Sequence, residues 1–487
     1  MGESVLWDNL KKQTNYFAAS SSCLAMTPQT TARLWLNETK ASLRLGSPLI
    51  LTNLAQVTLL TTNVVYMGRL GKGELAAGSL SGSLYQACMI FSLGLVSAII
   101  PMLATSLGKQ RDNLAAVQDI VRHGFFTAFL ACIPFWILLW HADSILLAAG
   151  QNPVIVAQAM EYMHALQWSL LPYLGYIVLR SLLSVLERPF WTLIVAIAAI
   201  LLNALLGWIL VFGNLGVPAL GIRGAGISSF VASFAMFLGM VLVIRLNPAF
   251  NRYAVFKDWW KLRLSKLTGI LRLGVPIAIT FTLETLVFYA AVMMMGLIGD
   301  TSLAAHAIVI QICTISYMFP LGFGQVATIR VGLAAGRSDP ITATRAGWVS
   351  YYLGVGCMGI AAIIMWGMPE SLIGFFIDAQ APENRAVVIT ATQFIFFAAL
   401  FQLTDGAQAV AAGMLRGLYD TRTPMLLALI GYWVIGMPAG ALLAFGFDMG
   451  GVGIWIGLVC GLTVVAILLT LRWMKHSQRL HERTYVR

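Results

Sequence analysis

Leu43-Arg44-Leu45-Gly46-Ser47-Pro48 and Leu271-Arg272-Leu273-Gly274-Val275-Pro276 are one phrase written twice, 228 positions apart. The same shift lays Met67-Gly68 on Met295-Gly296, Gly71 on Gly299, and Leu75-Ala76-Ala77 on Leu303-Ala304-Ala305. It also lays Leu93-Gly94 on Leu321-Gly322 and Gly108 on Gly336, and no gap is needed from 43 to 108. A fixed-period repeat is the first clue to an architecture. This one divides the chain into two equivalent halves.

Each half is too apolar for water. The 487 residues are 59% hydrophobic and 10% charged, whereas soluble domains carry about 25% charged residues. A soluble protein of this composition would expose large aggregating patches, so the composition excludes an ordinary soluble domain. Runs of roughly 20 apolar residues are long enough to cross a bilayer as helices. Twelve occur, near 47–67, 76–106, 121–141, 158–182, 189–212, 221–245, 269–298, 303–334, 345–367, 386–415, 422–446 and 450–474. Open strands are excluded there, because lipid leaves their backbone groups unpaired. The expected fold is an all-α integral membrane protein of twelve transmembrane helices, six in each repeat. Six is even, so both repeats run the same way through the membrane, and such parallel repeats are related by an axis along its normal.

The +11 net charge fits this topology. Lys109, Arg111, Arg122, Arg180, Arg188, the cluster from Arg245 to Arg272, Arg337, Arg345, Arg416 and Arg422 all fall on the side reached after even-numbered spans, as do both tails. The opposite loops hold only Arg69, Lys72, Arg223 and Arg385. The positive-inside rule then places both termini in the cytoplasm and explains the charge without nucleic acid. The expected organisation is an N-terminal extension over 1–42, lobes over 43–246 and 269–474, a basic linker over 247–268 and a tail over 475–487. The Ser-rich start reads as a cytoplasmic extension rather than a signal peptide, with Met26 as a second candidate start. The six cysteines show neither CxxC nor Cys/His metal spacing and read as small buried apolar residues.

Ionisable residues deep in a span are costly and therefore informative. Glu284, in Thr282-Leu283-Glu284-Thr285-Leu286, and Asp405, in Phe401-Gln402-Leu403-Thr404-Asp405, both lie deep in the second half. The bland alternative is a hydrogen-bonded packing site. The functional one is a coupling site, since a carboxylate sealed from water can hold a proton, or Na⁺ where other oxygens help. At the position equivalent to Glu284 the first half has Gln56, similar in shape and uncharged. His164 and His306 read as packing residues, and Arg330 and Arg416 as side chains snorkelling from span ends. Phe281, Phe288, Tyr289 and Phe401 are candidates to line a cavity for flat cations, although most aromatics in such a chain face lipid or core. The chain has no phosphate-binding loop, HExxH or GxSxG, so neither an ATPase nor an intramembrane hydrolase is expected.

Met67-Gly68-Arg69-Leu70-Gly71, Leu303-Ala304-Ala305-His306, Ala327-Thr328-Ile329-Arg330-Val331-Gly332 and Ala411-Ala412-Gly413-Met414-Leu415-Arg416-Gly417 resemble the multidrug and toxic compound extrusion (MATE) family, in its NorM-like branch. Tyr432-Trp433 and Gly436-Met437-Pro438 strengthen the match. The resemblance implies a V-shaped pair of six-helix bundles in the bacterial inner membrane, exporting amphipathic organic cations in exchange for Na⁺ or H⁺. No cofactor beyond the coupling cation and no enzymatic activity are expected; the sequence leaves the oligomeric state open, with a monomer as the expectation. The resemblance places that cation, as Na⁺ or H⁺, at Glu284 and Asp405, and it matches Gln311 and Asn203 to polar positions of the family; Gln56, Asn63 and Thr404 are further polar site candidates. Two departures stand out. Asn63 replaces a first-lobe aspartate of many members, and Phe401 replaces a tyrosine one turn before Asp405. The rival expectations are a flippase for a lipid-linked precursor, which should have a basic cavity for phosphates, and a non-transporting scaffold.

Overall fold

The structure, a computed structural model, describes residues 28–110, 113–257 and 260–485, with side chains from 32 to 479. Most of the N-terminal extension, Met26 included, lies outside the described residues. Twelve helical segments among them are long and apolar enough to cross a membrane. They are α1 (Ala32–Leu70), α2 (Lys72–Lys109), α3 (Leu114–Trp140), α4 (Pro153–Val185), α5 (Phe190–Phe212), α6 (Gly221–Leu246), α7 (Leu264–Ile298), α8 (Asp300–Gly336), α9 (Pro340–Gly367), α10 (Pro382–Gly417), α11 (Arg422–Gly446) and α12 (Gly450–Arg479). The first helix begins at Pro28, well inside the segment expected to be a tail.

The punctuation of the sequence sets these boundaries. Asn113, Asn152 and Asp339 accept backbone N–H bonds at the starts of α3, α4 and α9, satisfying donors a helix leaves open. Gly71 and Gly299 each form a one-residue turn, between α1 and α2 and between α7 and α8, at φ 156° and 146°. Such backbone, with ψ near 170°, is essentially confined to glycine. The repeat therefore extends to its turns.

The pseudo-twofold axis is visible in the packing between the halves. A Cβ on Gly94 would lie 2.4 Å from the Cα of Ala278, and one on Gly322 would lie 2.4 Å from the Ile50 side chain. Ala278 and Ile50 are themselves repeat equivalents, so the two contacts are copies of each other. Gly274 against Leu95 and Gly46 against Phe323 form a second such pair, and Gly108 and Gly336 face each other directly. Small residues let helices approach closely where lipid supplies no hydrophobic drive. Gly440 and Gly457 bring α11 onto α12 in the same way.

These interlobe contacts gather in the half of the bundle nearest the chain termini. There Arg330 of α8 makes a two-pronged bond to Glu38 of α1, both arms 2.7 Å, and a third bond of 2.6 Å to Glu187 in the α4–α5 turn. Arg330 was expected to snorkel; instead it joins the lobes. Toward the other end, Leu60, Val64, Ile315 and Phe319 are exposed. The lobes are thus joined at the terminal end.

Candidate functional site

Three cavities meet near the middle of the bundle, and the repeat organises all of them. A central cavity of about 130 Å³ lies on the axis between the lobes. Its lining includes Gln56 with its equivalent Glu284, Leu93 with Leu321, and Ser97 with Gln325. A cavity of about 100 Å³ lies within the first lobe and one of about 90 Å³ within the second. These two are also equivalents: Gln56, Leu60, Gly82, Tyr85, Gln86 and Met89 of one correspond to Glu284, Phe288, Ile310, Cys313, Thr314 and Tyr317 of the other. One fold has therefore built the same hollow twice, with different chemistry.

The second-lobe hollow is acidic. Glu284 and Asp405 both line it, brought together from α7 and α10. Pro276 lies one turn before Thr280, whose hydroxyl bonds back to the Pro276 carbonyl at 2.8 Å, and Thr52 does the same to Pro48 in the first lobe. Tyr317 donates to Glu284 Oε1 at 3.2 Å. Asp405 is 4% exposed, and its Oδ1 is buried with no hydrogen-bond partner. Leaving such an acceptor unmet is expensive. Nearby on α10, Gln402 donates to Ser316 Oγ at 2.5 Å while its own Oε1 is unmet. Both oxygens thus stand without a donor among the described residues. The floor is made by Phe288 and Phe401, edge to face at 6.0 Å. Alongside, α11 winds as a π-helix over Leu429–Gly436, and Trp433 bonds to the Leu283 carbonyl at 3.2 Å, next to Glu284. π-Helical turns are frequent at functional sites.

The first-lobe hollow is neutral. Asn203 donates to Asn63 at 3.1 Å, and Asn63 donates to Ser229 at 2.8 Å. Tyr85 and Ser169 share a proton contact of 2.6 Å. The chain thus keeps a polar network at the position where it lacks an acid.

Several expected site residues stand elsewhere. Thr404 bonds to the Phe401 carbonyl and lines an outer groove with Tyr351 and Thr470, away from Asp405. The helical period explains this, since adjacent residues point about 100° apart. Tyr289 is 37% exposed, and neither Tyr289 nor Gln311 lines any of the three cavities. Asn203 acts behind Asn63. His306 is fully buried against Trp455, with ring centroids 5.4 Å apart, and Cys460 is exposed rather than buried.

Sequence reasoning also missed residues. Arg180 was counted as a loop charge, but it is buried in α4 and lines the central cavity, where it donates to Asn53 at 2.6 Å and Gln325 at 3.2 Å. Arg416 lines the same cavity, over the Phe281 ring at 5.4 Å and bonded to the Ala412 carbonyl. The deep polar groups are therefore of both signs, not acidic alone. Arg416 lies in the last turn of α10, as expected, whereas Arg180 lies five residues before the end of α4 at Val185, and only the helix length reveals it. Tyr317 carried no signal beyond its equivalence to Met89.

A two-lobed, twelve-span membrane protein with a cavity on its pseudo-symmetry axis has the architecture of a transporter. The chain belongs to the MatE family, which it matches over residues 48–209 and 276–442, and it groups with the NorM multidrug efflux transporters. It is 52% identical over 445 residues to a probable multidrug resistance protein NorM of Brucella suis, covering 91% of this chain and 94% of that one. It is 50% identical to the corresponding protein of Mesorhizobium japonicum, covering 91% and 95%. The crystal structure of the eukaryotic MATE transporter AtDTX14 superposes with a TM-score of 0.81 at 22% identity, covering 92% and 99%, which establishes the shared fold.

Proposed function

We propose that this protein is a secondary antiporter that exports amphipathic organic cations in exchange for H⁺ or Na⁺ across the bacterial inner membrane, with both termini in the cytoplasm. One observation carries the reading. Two carboxylates deep in the second lobe, half-buried Glu284 and buried Asp405, share a hollow that opens toward the central cavity through Glu284, which lines both. A cation arriving there and a cationic substrate compete for the same negative charge, and such competition couples their movements. A ligand drives the exchange only by binding one state better than the other. The positive-inside distribution supports the orientation. With the lobes joined at the terminal end, we read the arrangement as one closed to the cytoplasm. Asp405 Oδ1, Glu284 and the Tyr317 hydroxyl offer oxygens to Na⁺, and either carboxylate can instead take a proton.

The test is resistance to a cationic dye such as ethidium in cells lacking other exporters. Wild type should protect, while Glu284→Gln and Asp405→Asn should reach the membrane and fail to protect. Full protection by either variant contradicts the assignment of that carboxylate. Arg180 and Arg416 in the central cavity are the observation that favours the flippase reading, because guanidinium groups suit phosphates. Flipping of a lipid-linked diphosphate by proteoliposomes that move no cationic dye would establish it instead.

A further inference from the structure

Arg180 is the most deeply buried charge facing the central cavity without a counter-charge. It is 6% exposed, and its two partners, the Oδ1 of Asn53 and the Oε1 of Gln325, are neutral. Among the described residues it makes no ion pair. One more donor stands unmet beside it. Asn53 spends its oxygen on Arg180, which leaves its Nδ2 buried without an acceptor. Gln56 accepts from the Tyr173 hydroxyl at 3.3 Å, and its amide N–H lies toward the Tyr176 hydroxyl. Asn53, Gln56 and Arg180 all line the one cavity. Buried donors and a buried cation are stable only when acceptors meet them, so this wall of the cavity is short of a negatively charged acceptor.

We infer that Arg180, with Asn53, forms an anion-accepting subsite for the carboxylate of a transported amphipathic compound. This rests on the exporter reading and extends it. A guanidinium fork matches the two oxygens of a carboxylate, and the cavity is apolar along Leu93, Ile177 and Ile277, which suits an aromatic or alkyl body. Glu284 lines the same cavity. A substrate bearing both charges engages the two lobes at once, its cationic group at Glu284 of the second and its carboxylate at Arg180 of the first. Gln325 belongs to the second lobe, so a carboxylate that takes over the guanidinium also releases a bond between the lobes.

The test compares a rhodamine that carries a free benzoate with its methyl ester, which differs only in lacking that anion. Binding to the purified full-length protein is followed by fluorescence polarisation. A charge-assisted hydrogen-bonded contact predicts that Arg180→Gln weakens the free acid by about tenfold to a hundredfold and changes the ester less than twofold. Arg180→Lys keeps the charge but loses the fork, and should weaken the free acid by an intermediate factor. It is the variant to read if Arg180→Gln does not insert. Equal weakening of both dyes in either variant, or no weakening of the free acid, overturns the subsite while leaving the exporter reading in place. Failure of wild type to bind either dye overturns both.

Discussion

Removing the Arg330 side chain should open the terminal end of the protein. Arg330 is the second lobe's only described ion-pair link to the first, through Glu38 and Glu187. The two arms differ in weight. Glu187 is about half exposed, at 47%, and exposed pairs contribute about 0–1 kcal/mol. Glu38 is 7% exposed and bonded through both oxygens, and stripping the partner from a buried pair costs about 3–5 kcal/mol. Arg330 itself is 19% exposed, which lowers this to about 2–4 kcal/mol for Arg330→Ala. Once the lobes part at this end, water reaches Glu38, so the open state bears little of that cost. The ratio of open to closed molecules should therefore rise by roughly thirtyfold to several hundredfold, at about 1.4 kcal/mol per tenfold. Spin labels at Lys109→Cys and Arg337→Cys, with the native cysteines replaced, report the distance, because both positions are exposed and adjoin the Gly108–Gly336 contact. Wild type should give one short distance, and Arg330→Ala a large added population at longer distance. Glu38→Gln should act nearly as strongly, and Glu187→Gln only weakly. An unchanged distance distribution in correctly inserted Arg330→Ala would refute the claim that this tie holds the end closed.

Other consequences follow from the same contacts. A Cβ on Gly108 would lie 2.3 Å from the Leu333 carbonyl, so Gly108→Val should wedge the lobes apart and lower thermal stability by about 1–3 kcal/mol, read by a melting scan in detergent. Asp420 lies in the α10–α11 turn; burial pushes its carboxyl up, but bonds from His476, Thr423 and Arg472 outweigh this and hold it well below the usual carboxylate range. A depressed carboxylate stabilises the fold above its unfolded value, near pH 4, and loses that contribution as pH falls further. Asp420→Asn should therefore melt lower than wild type from neutral pH down to about pH 4, with the gap closing only below that. Asn63→Ala leaves Asn203 and Ser229 without their shared partner and should cost about 1–3 kcal/mol, measured by the same scan, without abolishing gradient-driven efflux.

Much of the fold was legible because one physical demand, burying backbone polar groups in lipid, sets helix length and number together. The repeat was legible because contacts such as Gly94–Ala278 and Gly322–Ile50 demand the same small residue twice. Glu284 and Asp405 were legible because charge in an apolar run has few explanations. Arg180 was not, since the expected span stops at 182 while α4 runs on to Val185, and sequence alone blurs a helix end by about 2–4 residues. Thr404 was misjudged because nearness in sequence to Asp405 says nothing about which face of α10 it occupies. Glu38 and Glu187 gave no sign of their partner, which is far away in sequence and near only when the lobes close.

The central claim is that the carboxylates couple a cation gradient to export, and it is tested most directly by dye efflux from proteoliposomes under an imposed Na⁺ gradient or an imposed pH gradient. One of the two gradients should drive efflux by wild type, naming the ion, and neither should drive it in Glu284→Gln. Efflux that ignores both gradients in wild type, or that survives intact in Glu284→Gln, would contradict the account.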